Sequence, residues 1–266
     1  MQRIYLLLIS MLFTAIGVRA QVGPSQLTTS ELNSAAISCA RSHVQAALRQ
    51  PATTVRHRQK MDRYDVKYYK LDLALENNSR NVSGNVRMVA RTLAQPLDSV
   101  AFELYPDYTI DSVVVNGRRS AGWRWSSSDV TAAIPQVVGA NTLFTTVVYY
   151  RGTAPSGQSS AIGNALTTRT VSNYGVDVTW SLSEPFSAHE WWPCKQVLTD
   201  KADSVDVWVT TSSSNKVGSN GVLQRVTPLA NNKSRYEWKH RVKPIAYYLV
   251  SVAVAPTSSI LTTLIP

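Results

Sequence analysis

The sequence of 266 residues predicts an all-β fold, a sandwich or a strongly curved pair of sheets, preceded by one short amphipathic helix. From Tyr64 onward apolar and polar residues alternate, which is the period of a strand with one buried face. Turn signals such as Asn77-Asn78-Ser79 and Asn116-Gly117 divide this region into about a dozen short segments. Together these observations indicate hairpin-connected strands.

The helical pattern occupies residues 31–49. Apolar side chains recur there at helical spacing, Thr29 or Ser30 can cap the first turn, and Pro51 ends the pattern. We expect this helix to pack on the following domain, with a role as a partner-binding or pro-segment helix as the alternative.

The strands are expected to follow each other without a second helix. Val66 to Leu75 begins the series, with a slip in the alternation between Tyr68 and Leu71 that predicts a bulge. Further strands are expected at residues 82–93, 99–104, 109–115, 122–125, 130–134, 142–150, 168–171, 176–182, 205–210, 222–226, 235–241 and 247–254.

The first twenty residues are typical of a secretory signal peptide. An apolar run from Ile4 to Val18 follows Arg3, and Val18-Arg19-Ala20 resembles a cleavage site, so cleavage is expected after Ala20. No later apolar run approaches the roughly 20 residues of a membrane helix. The sequence therefore predicts a secreted or periplasmic protein, with residues 21–63 as polar tail, amphipathic helix and basic linker and 64–266 as the β-domain.

The positive charge does not predict a nucleic-acid partner. The net charge is +10, and loss of Arg3 and Arg19 with the signal lowers it to +8. The densest basic cluster, Arg49 to Arg63, lies between two structured patterns and is interpreted as a solvated linker. Nucleic-acid surfaces gather basic residues on one face with aromatic side chains between them, a grouping that the sequence lacks.

Cys39 and Cys194 are the only two cysteines. Both belong to the exported part of the chain, so a disulfide between them is chemically permitted. Two separate buried side chains are the alternative. Neither cysteine is predicted to be a nucleophile, because no histidine partner is apparent.

The segment from Ser183 to Cys194 is the strongest functional signal. It places Glu184 beside Pro185 and among aromatic residues at the end of a predicted strand. A carboxylate in such surroundings can bind an ammonium group by a charge-assisted hydrogen bond. Alternatively, Glu184 pairs with a nearby Lys or Arg, and Trp191 and Trp192 belong to the core.

The same segment imitates a zinc motif. His189-Glu190-Trp191-Trp192 matches the start of H-E-x-x-H, but the second histidine would have to stand at Pro193. Proline offers no ligand and is incompatible with a helix interior. We therefore expect no metal site here.

The pattern Glu184-Pro185-x-x-Ala188-x-x-x-Trp192-Pro193-Cys194, followed by Lys201-Ala202 and a strand, resembles the amino-terminal domain of the aminopeptidase N family of zinc metallopeptidases. That family has Glu or Gln before A-R-x-x-F-P-C and K-A. The resemblance extends from about Tyr64 to Val250. It departs from the family at His189, which replaces Arg, at Gln196, which replaces an acidic residue, and at Leu198, which replaces Pro.

The resemblance implies a saddle-like β-domain that packs over a catalytic domain and binds the free α-amine of a peptide through Glu184, with Trp191 or Trp192 supporting the loop. The family's G-x-M-E-N loop, H-E-x-x-H motif and distal Glu do not occur in this sequence. Zinc would accordingly belong to the missing catalytic domain, and this chain alone is expected to be inactive because a zinc peptidase needs three ligands and a base. A truncated or fragmentary aminopeptidase and a stand-alone descendant are both consistent with the sequence.

A second hypothesis treats the chain as a secreted binding module for a glycan or a protein. It depends on exposed aromatic side chains at Trp123, Trp125, Trp191 and Trp192, which could stack on sugar rings or form an interface.

Overall fold

The computed structural model describes residues 53–156, 165–172 and 175–257. The predicted signal peptide, the predicted helix at 31–49 and Cys39 lie outside these residues. The described part is all-β, with seventeen strands and one α-helix. This confirms the predicted fold class.

The described helix, α1, spans Val55–Met61 and precedes the first strand. It lies in the stretch that the sequence predicts to be a solvated basic linker, so that prediction is wrong for these residues. Thr54 caps the helix by accepting a hydrogen bond from the N–H of His57 at 3.2 Å. His57 and Met61 are buried, and the three basic or polar residues between them hide this inward face in the sequence.

The largest sheet has eight strands. Within the described residues, its one parallel pairing joins Tyr68–Ala74 of the first strand to Ser204–Thr210. A register shift between Val66 and Tyr68 places the predicted bulge slightly earlier than expected. In spatial order the sheet is β14-β15-β12-β1-β2-β8-β4-β5. The bounds are β1 Tyr64–Ala74, β2 Asn81–Thr92, β4 Thr109–Val115, β5 Arg118–Arg119, β8 Leu143–Thr153, β12 Ser204–Ser212, β14 Val222–Leu229 and β15 Lys233–His240.

Three smaller sheets complete the described fold. A three-stranded sheet has the order β3-β7-β6, with β3 Leu97–Glu103, β6 Trp123–Ser126 and β7 Asp129–Val138. A four-stranded sheet has the order β13-β17-β10-β9, with β9 Leu166–Val171, β10 Val176–Ser181, β13 Asn215–Ser219 and β17 Val252–Pro256. A two-stranded sheet pairs β11 Lys201–Ala202 with β16 Ile245–Ala246.

Most predicted strands are present, but the last one is shorter than predicted. Tyr247–Leu249 forms a turn of 3₁₀ helix, and the strand begins only at Val252. Strand β13 was not predicted, because N-K-V-G-S lacks a regular alternation. The predicted Asn116-Gly117 turn is confirmed, since both residues have the positive φ that this hairpin turn requires.

The core lies between the inward faces of these sheets. In β1, Leu71 and Leu73 are buried while Lys70 and Asp72 face outward. The segment after β10 crosses this core and places Trp191 and Trp192 among the largest fully buried side chains. No helix in residues 53–257, as far as they are described, has the length and hydrophobicity needed to cross a membrane.

Candidate functional site

Strand β10 leads into a tight turn that carries Glu184. The N–H of Ser187 donates a hydrogen bond to the carbonyl oxygen of Glu184 at 3.0 Å, which closes a four-residue turn. Pro185 occupies the second position, where its fixed φ is favourable, and Phe186 occupies the third with a φ of +68°. This is the geometry of a type II turn, with Phe in the position that normally takes Gly.

Two side chains from other segments hold this turn. The indole N–H of Trp191 donates to the hydroxyl oxygen of Ser183 at 2.8 Å, immediately before Glu184. The backbone N–H of Phe186 donates to the hydroxyl oxygen of Tyr247 at 3.1 Å. Trp191 is itself fixed, because its carbonyl oxygen accepts a hydrogen bond from the hydroxyl of Tyr150 at 2.8 Å. The backbone on both sides of Glu184 is therefore anchored to the core.

Glu184 is half-buried. Its side chain makes no hydrogen bond and no ion pair with the part of the chain that the structure describes. The alternative expectation, that Glu184 pairs with a nearby Lys or Arg, is not met by any described residue. A partly desolvated carboxylate without an internal cation is able to receive an external one.

Trp191 and Trp192 are completely buried. The ring of Trp192 meets that of Tyr69 edge to face, with 4.9 Å between the centroids. Neither indole is accessible to a sugar ring. Trp123 and Trp125 are partly buried and pack against the core. The glycan-binding alternative needs exposed aromatic side chains, and none of the four tryptophans is fully exposed.

His189 and Gln196, two of the positions that depart from the aminopeptidase N pattern, contact each other. The side-chain oxygen of Gln196 accepts a hydrogen bond from the backbone N–H of His189 at 3.2 Å, and its side-chain nitrogen lies 3.0 Å from Nδ1 of His189. These contacts hold the segment that begins at Ala188 against the loop after Cys194.

Glu103, at the end of β3, is a buried residue that the sequence analysis missed. Its backbone exchanges two hydrogen bonds with Cys194, at 2.8 and 3.1 Å, and its carboxylate accepts one from the side chain of Gln196. Burial raises the pKa of Glu103 to about 7. No local signal marks this residue, since Cys194 and Gln196, which it contacts, lie more than 90 positions away.

The side chain of Cys194 is buried, and burial raises the pKa of its thiol. A buried thiol with a raised pKa is a poor nucleophile. Its pairing with Cys39 remains a prediction, because Cys39 lies outside the described residues.

A second unpredicted contact, a buried ion pair, fixes the loop after Cys194. The ammonium group of Lys195 lies 2.6 Å from the carboxylate of Asp200, with 4% and 7% of the two side chains exposed. Asp200 also accepts a hydrogen bond from the backbone N–H of Val66 at 3.2 Å. Burial raises the pKa of Asp200, and the neighbouring Lys195 opposes that shift. The pair ties this loop to strand β1.

The zinc-like sequence at His189-Glu190 has a structural role. One carboxylate oxygen of Glu190 accepts a hydrogen bond from the N–H of Ala165 at 3.1 Å, and its carbonyl oxygen accepts one from the hydroxyl of Tyr108 at 3.0 Å. Among the described residues, no group of three or more His, Cys, Asp or Glu side chains is arranged to hold a metal ion. The described residues therefore do not form a zinc site.

No protein-family model and no curated protein matches the sequence. Comparison with solved structures does find relatives. An M1 zinc metallopeptidase from Deinococcus radiodurans matches with a TM-score of 0.63 and 23% identity, over 73% of this chain and 42% of that chain. Native yeast LTA4 hydrolase matches with a TM-score of 0.56 and 18% identity, over 79% of this chain and 32% of that chain. The chain has a fold that M1 zinc metallopeptidases contain.

The M1 similarity confirms, at the level of the fold, the resemblance that residues 184–194 predict. The chain spans less than half the length of these M1 relatives. Related structures describe a mutant of the Deinococcus radiodurans enzyme bound to a Tyr-Ser-Ala substrate and two-domain M1 zinc metallopeptidase mutants bound to L-arginine or L-tryptophan. Those ligands belong to those proteins.

Proposed function

We propose that the chain is the amino-terminal, substrate-amine-recognising domain of an exported zinc metallo-aminopeptidase, and that Glu184 binds the free α-ammonium group of a peptide. The observation that carries the proposal is the carboxylate of half-buried Glu184, which stands on a fixed turn without a cation among the described residues. An unpaired charge in that setting costs free energy unless a ligand compensates it.

The chemistry of the turn suits this role. A charge-assisted hydrogen bond from an ammonium group to a carboxylate contributes about 1.5–3 kcal/mol. Because the chain is anchored at Ser183 and Phe186, the backbone that carries the carboxylate is held in one place. A fixed anchor for the α-amine sets the distance from the peptide end to the cleaved bond, which is how one residue at a time would be removed.

The M1 relatives supply further support. Tyr-Ser-Ala, L-arginine and L-tryptophan, the molecules bound in those structures, all carry an α-amine. Zinc ligands and a general base would come from a catalytic domain, and without that domain we expect no peptidase activity. Sequencing the transcript through the codon of Pro266 tests this part of the proposal. An in-frame H-E-x-x-H motif with a distal Glu is expected, and a stop codon would contradict it.

The role of Glu184 is tested by Glu184→Ala in the protein that carries this chain and the catalytic domain. Loss of the anchor is expected to raise KM for unblocked peptides about ten- to a hundredfold, which corresponds to the free energy of one charge-assisted hydrogen bond. Exposed Asp107→Ala is the matched control and should leave KM unchanged. An unaltered KM in Glu184→Ala would refute the anchor role.

A further inference from the structure

The turn that carries Glu184 contains the most unusual backbone conformation in the described fold. Six described residues other than glycine have a positive φ, and five of them are Asn or Ser. The sixth is Phe186. Asn adopts this left-handed region readily because its short polar side chain compensates locally, whereas a bulky residue does not. Phe186 therefore adopts a disfavoured conformation that the surrounding contacts must hold.

Tyr247 supplies the contact that holds it. The hydroxyl oxygen of Tyr247 accepts the N–H of Phe186 at 3.1 Å, across 61 positions of sequence. The ring of Tyr247 is 2% exposed, and Tyr248 packs edge to face against it with 5.4 Å between centroids. Strand β16, which pairs with β11, ends immediately before Tyr247 and fixes its backbone. The acceptor is thus rigid, while the turn that it holds is strained.

We propose that Tyr247 is a positioning residue for Glu184: its hydroxyl holds Phe186 in the left-handed conformation and so determines where the carboxylate lies. Only the effect on amine binding rests on the proposed function. The conformational part stands on the hydrogen bond and the φ of Phe186 alone. If the hydrogen bond were lost, Phe186 would relax toward negative φ, the turn would open, and Glu184 would lose its fixed place.

The first test uses the purified chain and needs no catalytic activity. Tyr247→Phe removes the acceptor oxygen but keeps the ring, so hydrogen exchange of the Phe186 amide, followed by NMR, is expected to accelerate about two- to tenfold, the range that one net hydrogen bond supplies. Tyr248→Phe is the matched control and should leave this rate unchanged. Equal exchange rates in wild type and Tyr247→Phe would overturn the inference.

The second test is a rescue. Phe186→Gly permits positive φ without steric cost, so the turn no longer needs Tyr247. In the protein with the catalytic domain, Tyr247→Phe is expected to raise KM for unblocked peptides about two- to tenfold with kcat unchanged, but to have no effect in the Phe186→Gly background. Equal KM increases in both backgrounds would contradict a positioning role. If Glu184→Ala also leaves KM unchanged, the proposed function fails, while the exchange experiment still decides the inference.

Discussion

At the scale of single residues, the side-chain amide of Gln196 joins the segment after Glu184 to the core. The side chain of Gln196 contacts both the backbone and the ring of His189, and it also donates to the carboxylate of Glu103. The second oxygen of Glu103 is buried without a hydrogen-bond partner among the described residues. Burial favours the protonated form of this carboxyl group, which explains the direction of its pKa shift.

This raised pKa predicts a pH-dependent contribution to stability. The pKa of Glu103 rises from 4.5 to about 7 on folding, so the folded state binds more protons between these values and its free energy of unfolding falls as pH rises through this window. The full effect is roughly 3 kcal/mol. Asp129 raises the pKa further, while Gln196 and Arg58 oppose the shift.

The isosteric variant Glu103→Gln isolates this contribution. We compare the free energies of unfolding of wild type and variant in urea at pH 5 and pH 8. Relative to wild type, the variant should be more stable at pH 8 than at pH 5. Buried His57, whose pKa burial lowers, responds in the opposite sense but is present in both proteins, so it cancels from the difference. A difference that is independent of pH would contradict the assignment.

Glu184 could be found from the sequence, whereas the residues around it could not. Its signal is local, since a carboxylate beside a proline and tryptophans is recognisable within a dozen positions. The contacts of Glu103 and Tyr247 join positions 93 and 61 residues apart. Pairing over such distances depends on the sheet topology, which the alternation pattern does not specify.

At the scale of elements, the loop from Cys194 to Asp200 connects the site with the large sheet. Its buried Lys195–Asp200 pair is anchored on β1, and strand β11 begins at the next residue. Strand β11 pairs with β16, which leads directly to Tyr247. The Lys195–Asp200 ion pair therefore stabilises the loop that follows Trp191 and the strand pair that precedes Tyr247. Trp191 and Tyr247 are the two side chains that hold the Glu184 turn.

Removing one partner of this pair should be severely destabilising. Lys195→Met leaves the charge of Asp200 buried and unpaired, which is expected to lower the free energy of unfolding by about 3–5 kcal/mol in urea titrations. Lys67→Met is the matched control, because Lys67 pairs with Asp65 on the surface, and it should cost less than about 1 kcal/mol. Similar losses in the two variants would show that the buried pair has no special role.

At the scale of the whole molecule, the sequence predicts the strands better than their arrangement. The two-residue period identifies β1 and β12 as strands, but nothing in it indicates that they pair in parallel across more than 130 residues. The sequence pattern does not predict helix α1, because basic residues dominate its composition. Burial of His57 and Met61 against the rest of the fold stabilises it. Tertiary packing, absent from local patterns, determines both features.

The packing of these strands positions the turn that carries Glu184. The affinity of the Glu184 carboxylate for an amine can be measured directly. The ¹³C carboxyl resonance of Glu184 in the purified chain should shift on titration with an amino-acid amide that has a free α-amine, with a Kd on the order of 10–100 mM as expected for one charge-assisted hydrogen bond. The N-acetylated amide at equal ionic strength should produce no shift. If the two compounds give the same response, or if exposed Asp107 responds as strongly as Glu184, amine recognition by this turn is contradicted.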